Sequence, residues 1–323
     1  MSPAARAPAA AAAQLPVYLL TGPTGTGKSD WAIRLAQSAP VEIVSVDSAL
    51  VYRGLDIGTA KPAAELRTRL PHHLVDICDP VESYSAGRFV MDAMAAIAAV
   101  HARRRAPLLV GGTMLYLRAL LKGLAPLPQA SVELRRELDE RAAHSGWPAL
   151  HAELARLDPE AAARINPNDS QRIQRALEVC LATGRRLSVL QRETVSPLAN
   201  VPLKAWALAP RDRPVLHQRL ASRFHAMMAA GFLEEVRALH RRGDLTARHS
   251  SMRAVGYRQL WAHLEGEYAL GEAVERGIAA TRQLAKRQLT WMRAETAPRW
   301  LDPDTDELSW NRDLRRELLQ LGL

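Results

Sequence analysis

Val17-Tyr18-Leu19-Leu20-Thr21-Gly22-Pro23-Thr24-Gly25-Thr26-Gly27-Lys28-Ser29 is the stretch on which the fold turns. Its first five residues make a short apolar run of the kind that forms a buried strand. The next eight satisfy G-x-x-x-x-G-K-[ST] in full, and Ser29 to Ser38 sets Trp31, Ala32, Leu35 and Ala36 at helical spacing. A strand, a glycine-rich loop and a helix in that order make a phosphate-binding P-loop. Glycines let successive backbone N–H groups turn inward around phosphate oxygens, a lysine supplies a point charge between phosphates, and the serine hydroxyl is a ligand for Mg²⁺. Gly22, Pro23, Thr24, Gly25, Thr26, Gly27, Lys28 and Ser29 are therefore expected to hold a diphosphate, with Ser29 at the metal. The motif leaves open what the diphosphate is attached to, and taken alone it equally fits a nucleoside triphosphate and a kinase.

Outward from the loop, short apolar runs alternate with helical patterns. Val41 to Val46 reads as a second strand ending at Asp47, and Leu74 to Ile77 as a weaker third. An Ala-rich helix is expected from about Ser85 to Arg105, then a fourth strand from Pro107 to Val110 that runs into Gly111-Gly112-Thr113. This alternation predicts an α/β fold, a parallel sheet flanked by helices. Near Ala125 the texture changes: Pro126 and Pro128 break the chain, and residues 128–200 are charged, helical in pattern and nearly free of β-branched runs. That segment is expected to be an inserted all-helical subdomain. Val201 to Leu208 returns to the sheet, followed by helices over Arg213 to Arg242 and Leu270 to Arg293. The catalytic core is thus expected over residues 15–127 and 201–323, with the Ala- and Pro-rich residues 1–14 a disordered tail.

Composition narrows the function classes. In 323 residues, 43 Lys and Arg oppose 34 Asp and Glu, a formal +9 with a pI near 10.0, a balance that suits a polyanionic partner such as nucleic acid. Cys78 and Cys180 have neither disulfide nor zinc spacing, and His72-His73, after Pro71, reads as a loop with two solvated or locally bonded imidazoles rather than a metal site. No apolar run approaches the roughly 18 residues of a membrane span, so a soluble cytoplasmic protein without membrane contact is expected. Nothing in the pattern demands a partner subunit, and a monomer is expected.

Two residues besides the P-loop stand at predicted strand ends, where open α/β sheets bind their ligands. Asp47 follows the second strand; an outer-shell magnesium ligand, a general base, a group that orients an acceptor and a simple turn cap all remain open. Thr113 follows the fourth; it is placed to donate to a phosphate or to a bridging oxygen that gains charge, or the glycines before it serve only a tight turn. Basic residues mark the distal half: Arg172 and Arg175 share a face in Gln171-Arg172-Ile173-Gln174-Arg175, and Arg282 and Lys286 are four apart with Arg287 adjacent.

The run Ile43-Val44-Ser45-Val46-Asp47-Ser48-Ala49-Leu50-Val51-Tyr52-Arg53-Gly54-Leu55-Asp56-Ile57-Gly58-Thr59-Ala60-Lys61-Pro62 resembles bacterial tRNA dimethylallyltransferases, the tRNA isopentenyltransferases. So do Pro71-His72-His73-Leu74-Val75-Asp76, Val110-Gly111-Gly112-Thr113-Met114-Leu115-Tyr116, Asn168-Asp169-Ser170-Gln171-Arg172, Val255-Gly256-Tyr257-Arg258-Gln259 and Thr281-Arg282-Gln283-Leu284-Ala285-Lys286-Arg287-Gln288. The resemblance implies a P-loop NTPase-like, kinase-like core that moves a dimethylallyl group from dimethylallyl diphosphate to N6 of adenosine 37 in tRNAs reading codons that begin with U. It implies that the P-loop grips the donor's diphosphate with Mg²⁺, that Asp47 is the general base, that Thr113 bonds the leaving oxygen and that Arg223 clamps the diphosphate from the other side. It further implies that Asp47, Ser48, Ala49 and Leu50 touch the extruded adenine and its neighbours. The anticodon stem-loop would be held by Gln171, Arg172, Ile173, Gln174 and Arg175, by Arg253, Ala254, Val255, Gly256, Tyr257 and Arg258, and by Arg282, Lys286 and Arg287. The chain lacks the Asp-rich motif of chain-elongating prenyl synthases, so its metal binding is expected to be of the P-loop kind. Three rivals remain beside this reading: a small-molecule kinase, a prenyltransferase for free adenosine phosphates, and a non-catalytic RNA-binding ATPase.

Overall fold

A computed structural model of the chain describes residues 15–125, 127, 132–295 and 298–323; the expected tail at 1–14, Pro126 and Pro128 lie outside the described residues. Six parallel strands form one sheet: β1 (Val17–Thr21), β2 (Val41–Val46), β3 (His72–His73), β4 (Ala106–Gly111), β5 (Leu203–Leu208) and β6 (Arg299–Leu301), in the order β3-β2-β4-β1-β5-β6. The helices among the described residues are α1 (Lys28–Ala36), α2 (Ala64–Arg69), α3 (Ala86–Ala102), α4 (Met114–Lys122), α5 (Val132–Ser145), α6 (Trp147–Leu157), α7 (Pro159–Arg164), α8 (Ser170–Thr183), α9 (Leu187–Leu190), α10 (Arg213–Ala229), α11 (Phe232–Arg241), α12 (Tyr257–Leu264), α13 (Leu270–Glu295) and α14 (Glu307–Gln320). None is long and apolar enough to cross a membrane.

Every residue of β1, β2 and β4 is buried, as expected for strands covered on both faces, and this explains why they read as unbroken apolar runs. One face packs Tyr18, Leu20, Ile43 and Leu108 against Trp31 and Leu35 of α1 and Trp310, Leu314 and Leu318 of α14. Trp31 and Trp310 meet at 5.4 Å between ring centroids, so the last helix completes a core that the first helix begins. Both α14 and the edge strand β6 lie beyond the elements expected from sequence.

The chain divides into two compact units, residues 1–118 with 200–323, and residues 119–199. The second unit is all helical among its described residues, around Leu138, Leu150, Leu154, Ile173, Leu177 and Leu190. Its buried Glu178 is paired with Arg135 and with Arg175, whose Nη1 is 3.0 Å away.

Three local expectations are corrected. The third strand is not Leu74–Ile77 but His72–His73, which pairs with Ile43 and Val44; Leu74 and Asp76 adopt φ of 62° and 58°, and a left-handed backbone cannot stay in a ladder. The two histidines are therefore strand, not loop; His73 Nε2 bonds Glu42 Oε2 at 2.7 Å and His72 Nδ1 faces the Leu70 carbonyl at 2.6 Å. The helix expected over Arg213 to Arg242 is two, since the chain turns at Ala230-Gly231 and α11 starts afresh with Glu234 and Glu235 in its first turn.

Candidate active site

Because the strands are parallel and in register, their carboxyl ends open on one edge of the sheet: Val46 of β2 lies beside Gly111 of β4, and Leu20 of β1 beside Val110. The P-loop leaves β1 there, Asp47 leaves β2 and Thr113 leaves β4. A cavity of about 440 Å³ lies at this edge, lined by Thr24, Asp47, Ser48, Ala49, Thr113, Arg223, Arg287 and Gln288, with Leu220, Phe224, Met227, Phe232, Tyr257 and Leu284 as its apolar walls. All belong to the first unit.

In the P-loop, Gly27 caps α1 with φ 82°, the left-handed turn that lets the loop fold back on itself before the helix. Thr26 Oγ1 ties the loop by donating to the Pro23 carbonyl at 3.0 Å, and Lys28 Nζ donates to the same carbonyl at 2.7 Å. Ser29 follows on the first turn of α1 and is exposed. Desolvation and then the Arg223 guanidinium push the Lys28 ammonium down, to about 8 once the opposing effect of Asp47 is included. Arg223 itself is lowered by burial and supported by Asp47 and Asp30. Two half-buried cations thus lie within electrostatic reach of one another at the loop and repel. An anion bound beside them would offset both the repulsion and the desolvation, which is what a phosphate site requires electrostatically.

Asp47 and Thr113 are held by hydrogen bonds across the strand ends. Asp47 Oδ1 accepts from the backbone N–H groups of Ala49 at 2.8 Å and Leu50 at 3.4 Å, leaving its other oxygen outside this turn. Thr113 Oγ1 accepts from the Ser48 N–H at 3.0 Å, and the Thr113 N–H donates to the Val46 carbonyl at 3.2 Å. The turn-cap and site readings of Asp47 are therefore not exclusive, because one carboxylate does the first while lining the cavity.

The segment opposite is fixed by one carboxylate. Glu235 accepts from the backbone N–H groups of Asp56 at 3.0 Å, Ile57 at 2.6 Å and Gly58 at 3.2 Å, and from the Tyr257 hydroxyl. Tyr257 is fully buried and stands edge-on to Phe232 at 4.9 Å. Beside it, Arg253, Ala254 and Val255 line the cavity; Gly256 is buried and Arg258 is exposed but not lining. Arg282 and Lys286 lie on α13 outside the lining set, whereas Arg287 is within it.

Gln171 to Arg175 sit on α8 of the helical unit and line no part of the cavity. Gln171 and Arg172 are exposed, Gln174 Nε2 donates to Asp139 Oδ1 at 2.8 Å, and Arg175 pairs with Glu178. Ile173 is corrected: it is 0% exposed in that unit's core and offers no surface to RNA, as the alternate faces of one helix turn require. Tyr257, equally buried, acts at most through the edge it turns to the cavity.

Sequence reasoning did not single out Gln288 as a site residue or, apart from Tyr257, the apolar wall. The signal was available on α13, where Thr281, Leu284 and Gln288 fall at i, i+3 and i+7, an inward stripe interrupted by two polar residues.

A family model described as IPP transferase matches residues 50–295, and one described as isopentenyl transferase matches residues 15–74. The chain belongs to the IPP transferase family. It is 59% identical over 300 residues to the tRNA dimethylallyltransferase of Methylococcus capsulatus, covering 92% of this chain and 96% of that protein. It is 58% identical over 290 residues to that of Alkalilimnicola ehrlichii, covering 90% and 91%. Among solved structures, it resembles the full-length tRNA isopentenylpyrophosphate transferase of Bacillus halodurans with a TM-score of 0.68 and 35% identity, over 95% of this chain and 98% of that one. It also resembles a eukaryotic dimethylallyltransferase acting on tRNA, with a TM-score of 0.77 and 28% identity, over 94% and 77%. For an IPP transferase family member, the P-loop at the sheet edge belongs to a group-transfer enzyme, and the kinase that the motif alone allowed falls away.

Proposed function

We propose that this protein transfers a dimethylallyl group from dimethylallyl diphosphate to N6 of adenosine 37 in tRNA, working as a cytoplasmic monomer. The observation that carries the reading is the meeting of Arg223 and Asp47 on one cavity, with Lys28 of the P-loop within electrostatic reach of both: a cation and a carboxylate on the space where donor and acceptor would meet, beside the diphosphate loop.

In the transfer, the N6 lone pair attacks the allylic C1, the C1–O bond breaks, and its electrons go to the bridging oxygen of the departing diphosphate. N6 is conjugated with the purine and is a poor nucleophile, so the barrier is lowered mainly at the leaving group and by positioning. Lys28 and Arg223 receive the growing negative charge, and their shared repulsion makes them respond to it strongly. Thr113 Oγ1 accepts from the Ser48 N–H and donates over a long 3.4 Å to Ser48 Oγ, a weak bond that its hydroxyl exchanges for one to the bridging oxygen. Asp47 takes the N6 proton, a contribution of roughly 10² to 10⁴ in rate. The apolar walls from Leu220, Phe224 and Leu284 exclude water from the allylic carbon.

The donor set also fits Mg²⁺. Ser29 presents a hydroxyl at the start of α1, and no group of three His, Cys, Asp or Glu that could hold a metal occurs among the described residues, so the remaining ligands would be phosphate oxygens and water, the arrangement Mg²⁺ prefers. When bound there, the ion supplies further charge neutralisation on the diphosphate.

An adenine stacked in an anticodon loop cannot reach the enclosed allylic carbon, so the base is extruded into the cavity beside Asp47, Ser48 and Ala49. Arg253, Arg258, Lys286 and Arg287, with Gln171, Arg172 and Arg175 on the helical unit, supply the phosphate and loop contacts. Incubating the purified protein with dimethylallyl diphosphate and unmodified tRNA bearing adenosines at 36 to 38 should add one prenyl mass to the tRNA. Absence of product, alongside turnover of ATP or of free AMP, overturns the reading.

A further inference from the structure

Gln288 joins the two halves of the site. It projects from α13 into the space between the P-loop and the exit of β4, and it is 7% exposed. Its Oε1 accepts from the Thr24 backbone N–H at 2.9 Å, and its Nε2 donates to the Gly112 carbonyl at 2.8 Å. The approach is as close as the chain allows: a Cβ on Gly112 would stand 2.7 Å from Gln288 Nε2 and 2.7 Å from the Gly22 carbonyl. Three segments distant in sequence therefore meet at one carboxamide.

From Gly112 the connection continues through backbone to Thr113, whose hydroxyl holds the Ser48 N–H, and so to Asp47. We propose that Gln288 is a positioning residue that fixes the spacing between the diphosphate cradle and the acceptor side of the site. This rests on the prenyl-transfer reading above and deepens it.

A carboxamide alone meets the geometry, because it donates with one end and accepts with the other. An apolar side chain leaves a buried N–H and a buried carbonyl without partners. A carboxylate keeps the Thr24 bond but sets a negative oxygen against the Gly112 carbonyl; a protonated carboxyl restores the donor. The role also explains why the residue sits on α13. The same helix carries Leu284 and Arg287 into the cavity and Lys286 on its outer side, so the element that faces RNA is tied directly to the loop that holds the donor.

The decisive experiment compares wild type, Gln288→Ala and Gln288→Glu by steady-state kinetics with tRNA and dimethylallyl diphosphate across pH, with thermal melts to establish folding. Gln288→Ala should lower kcat on the order of tenfold to a hundredfold at saturating substrates, at every pH alike, while the KM for tRNA stays within about twofold. The ratio of Gln288→Glu activity to wild type should rise as pH falls, because protonation returns the bond to Gly112. The charged groups that share the cavity lining with residue 288 are Asp47 after β2, Arg223 on α10, Arg253 before α12 and Arg287 on α13 itself, with Lys28 of the P-loop under the influence of Arg223 and Asp47; the ratio is read well below pH 8, where Lys28 is cationic in all three proteins. Folded variants with wild-type kcat, or a Gln288→Glu ratio that does not change with pH, overturn the assignment. An inactive wild type instead removes the prenyl-transfer reading on which it rests.

Discussion

At the residue scale, the site is a balance of two cations and one carboxylate. Asp47→Asn keeps the size of the side chain and the caps on Ala49 and Leu50 but cannot take a proton. Turnover should fall at least about a hundredfold with tRNA affinity nearly unchanged, measured by single-turnover kinetics and by filter binding. Near-wild-type turnover removes Asp47 as the base. Lys28 yields a pH dependence of known sign. Its pKa is lowered to about 8 by desolvation and then by Arg223, so it is cationic below that pH and neutral above it. The kcat/KM for the prenyl diphosphate should decline as pH rises through about 8, and Arg223→Gln, which removes the like charge, should move that decline upward. A profile flat to pH 10 contradicts the cation pair.

At the element scale, the cavity depends on loops held by side chains rather than by ladders. The segment Asp56–Gly58 has its N–H groups tied to Glu235 on the first turn of α11. That one carboxylate places Gly58 against the Phe232 ring, where an added Cβ would fall 2.1 Å from Cε2. Glu235→Ala leaves these donors and the Tyr257 hydroxyl unpartnered and should lower the unfolding free energy by about 2–4 kcal/mol in urea titrations. Glu235→Gln, which keeps an acceptor oxygen, should lose less; equal losses would mean that the packing of Phe232 and Tyr257, not the carboxylate, holds the segment.

Over the whole molecule, a net +9 sits on a chain whose acidic residues are largely engaged in ion pairs, such as Glu42 with Arg103 at 2.6 Å and Glu317 with Lys204 at 2.6 Å. A long polyanion releases many counterions on binding such a surface, whereas a single diphosphate releases few. The KM for tRNA should therefore rise steeply between low and physiological salt while the KM for dimethylallyl diphosphate changes far less. Equal salt slopes would contradict a basic RNA-binding surface.

The sequence by itself determined the strand-loop-helix at the centre of the sheet, the second and fourth strands with Asp47 and Thr113 at their ends, and the family. Those features are local: a buried strand is an unbroken apolar run, a P-loop is a spacing of glycines, and a parallel sheet puts all such ends on one edge. Only the tertiary structure decided that the third strand is His72–His73, that β6 and α14 complete the sheet and its core, and that Ile173 faces inward. It brought the Arg223 guanidinium of α10, which the resemblance had named, within electrostatic reach of Lys28, and it alone set a carboxamide from α13 between Thr24 and Gly112. Periodicity records which face of an element is buried. It holds no record of which distant polar group will meet a given backbone amide, and in this protein those long-range pairings set the geometry of the site.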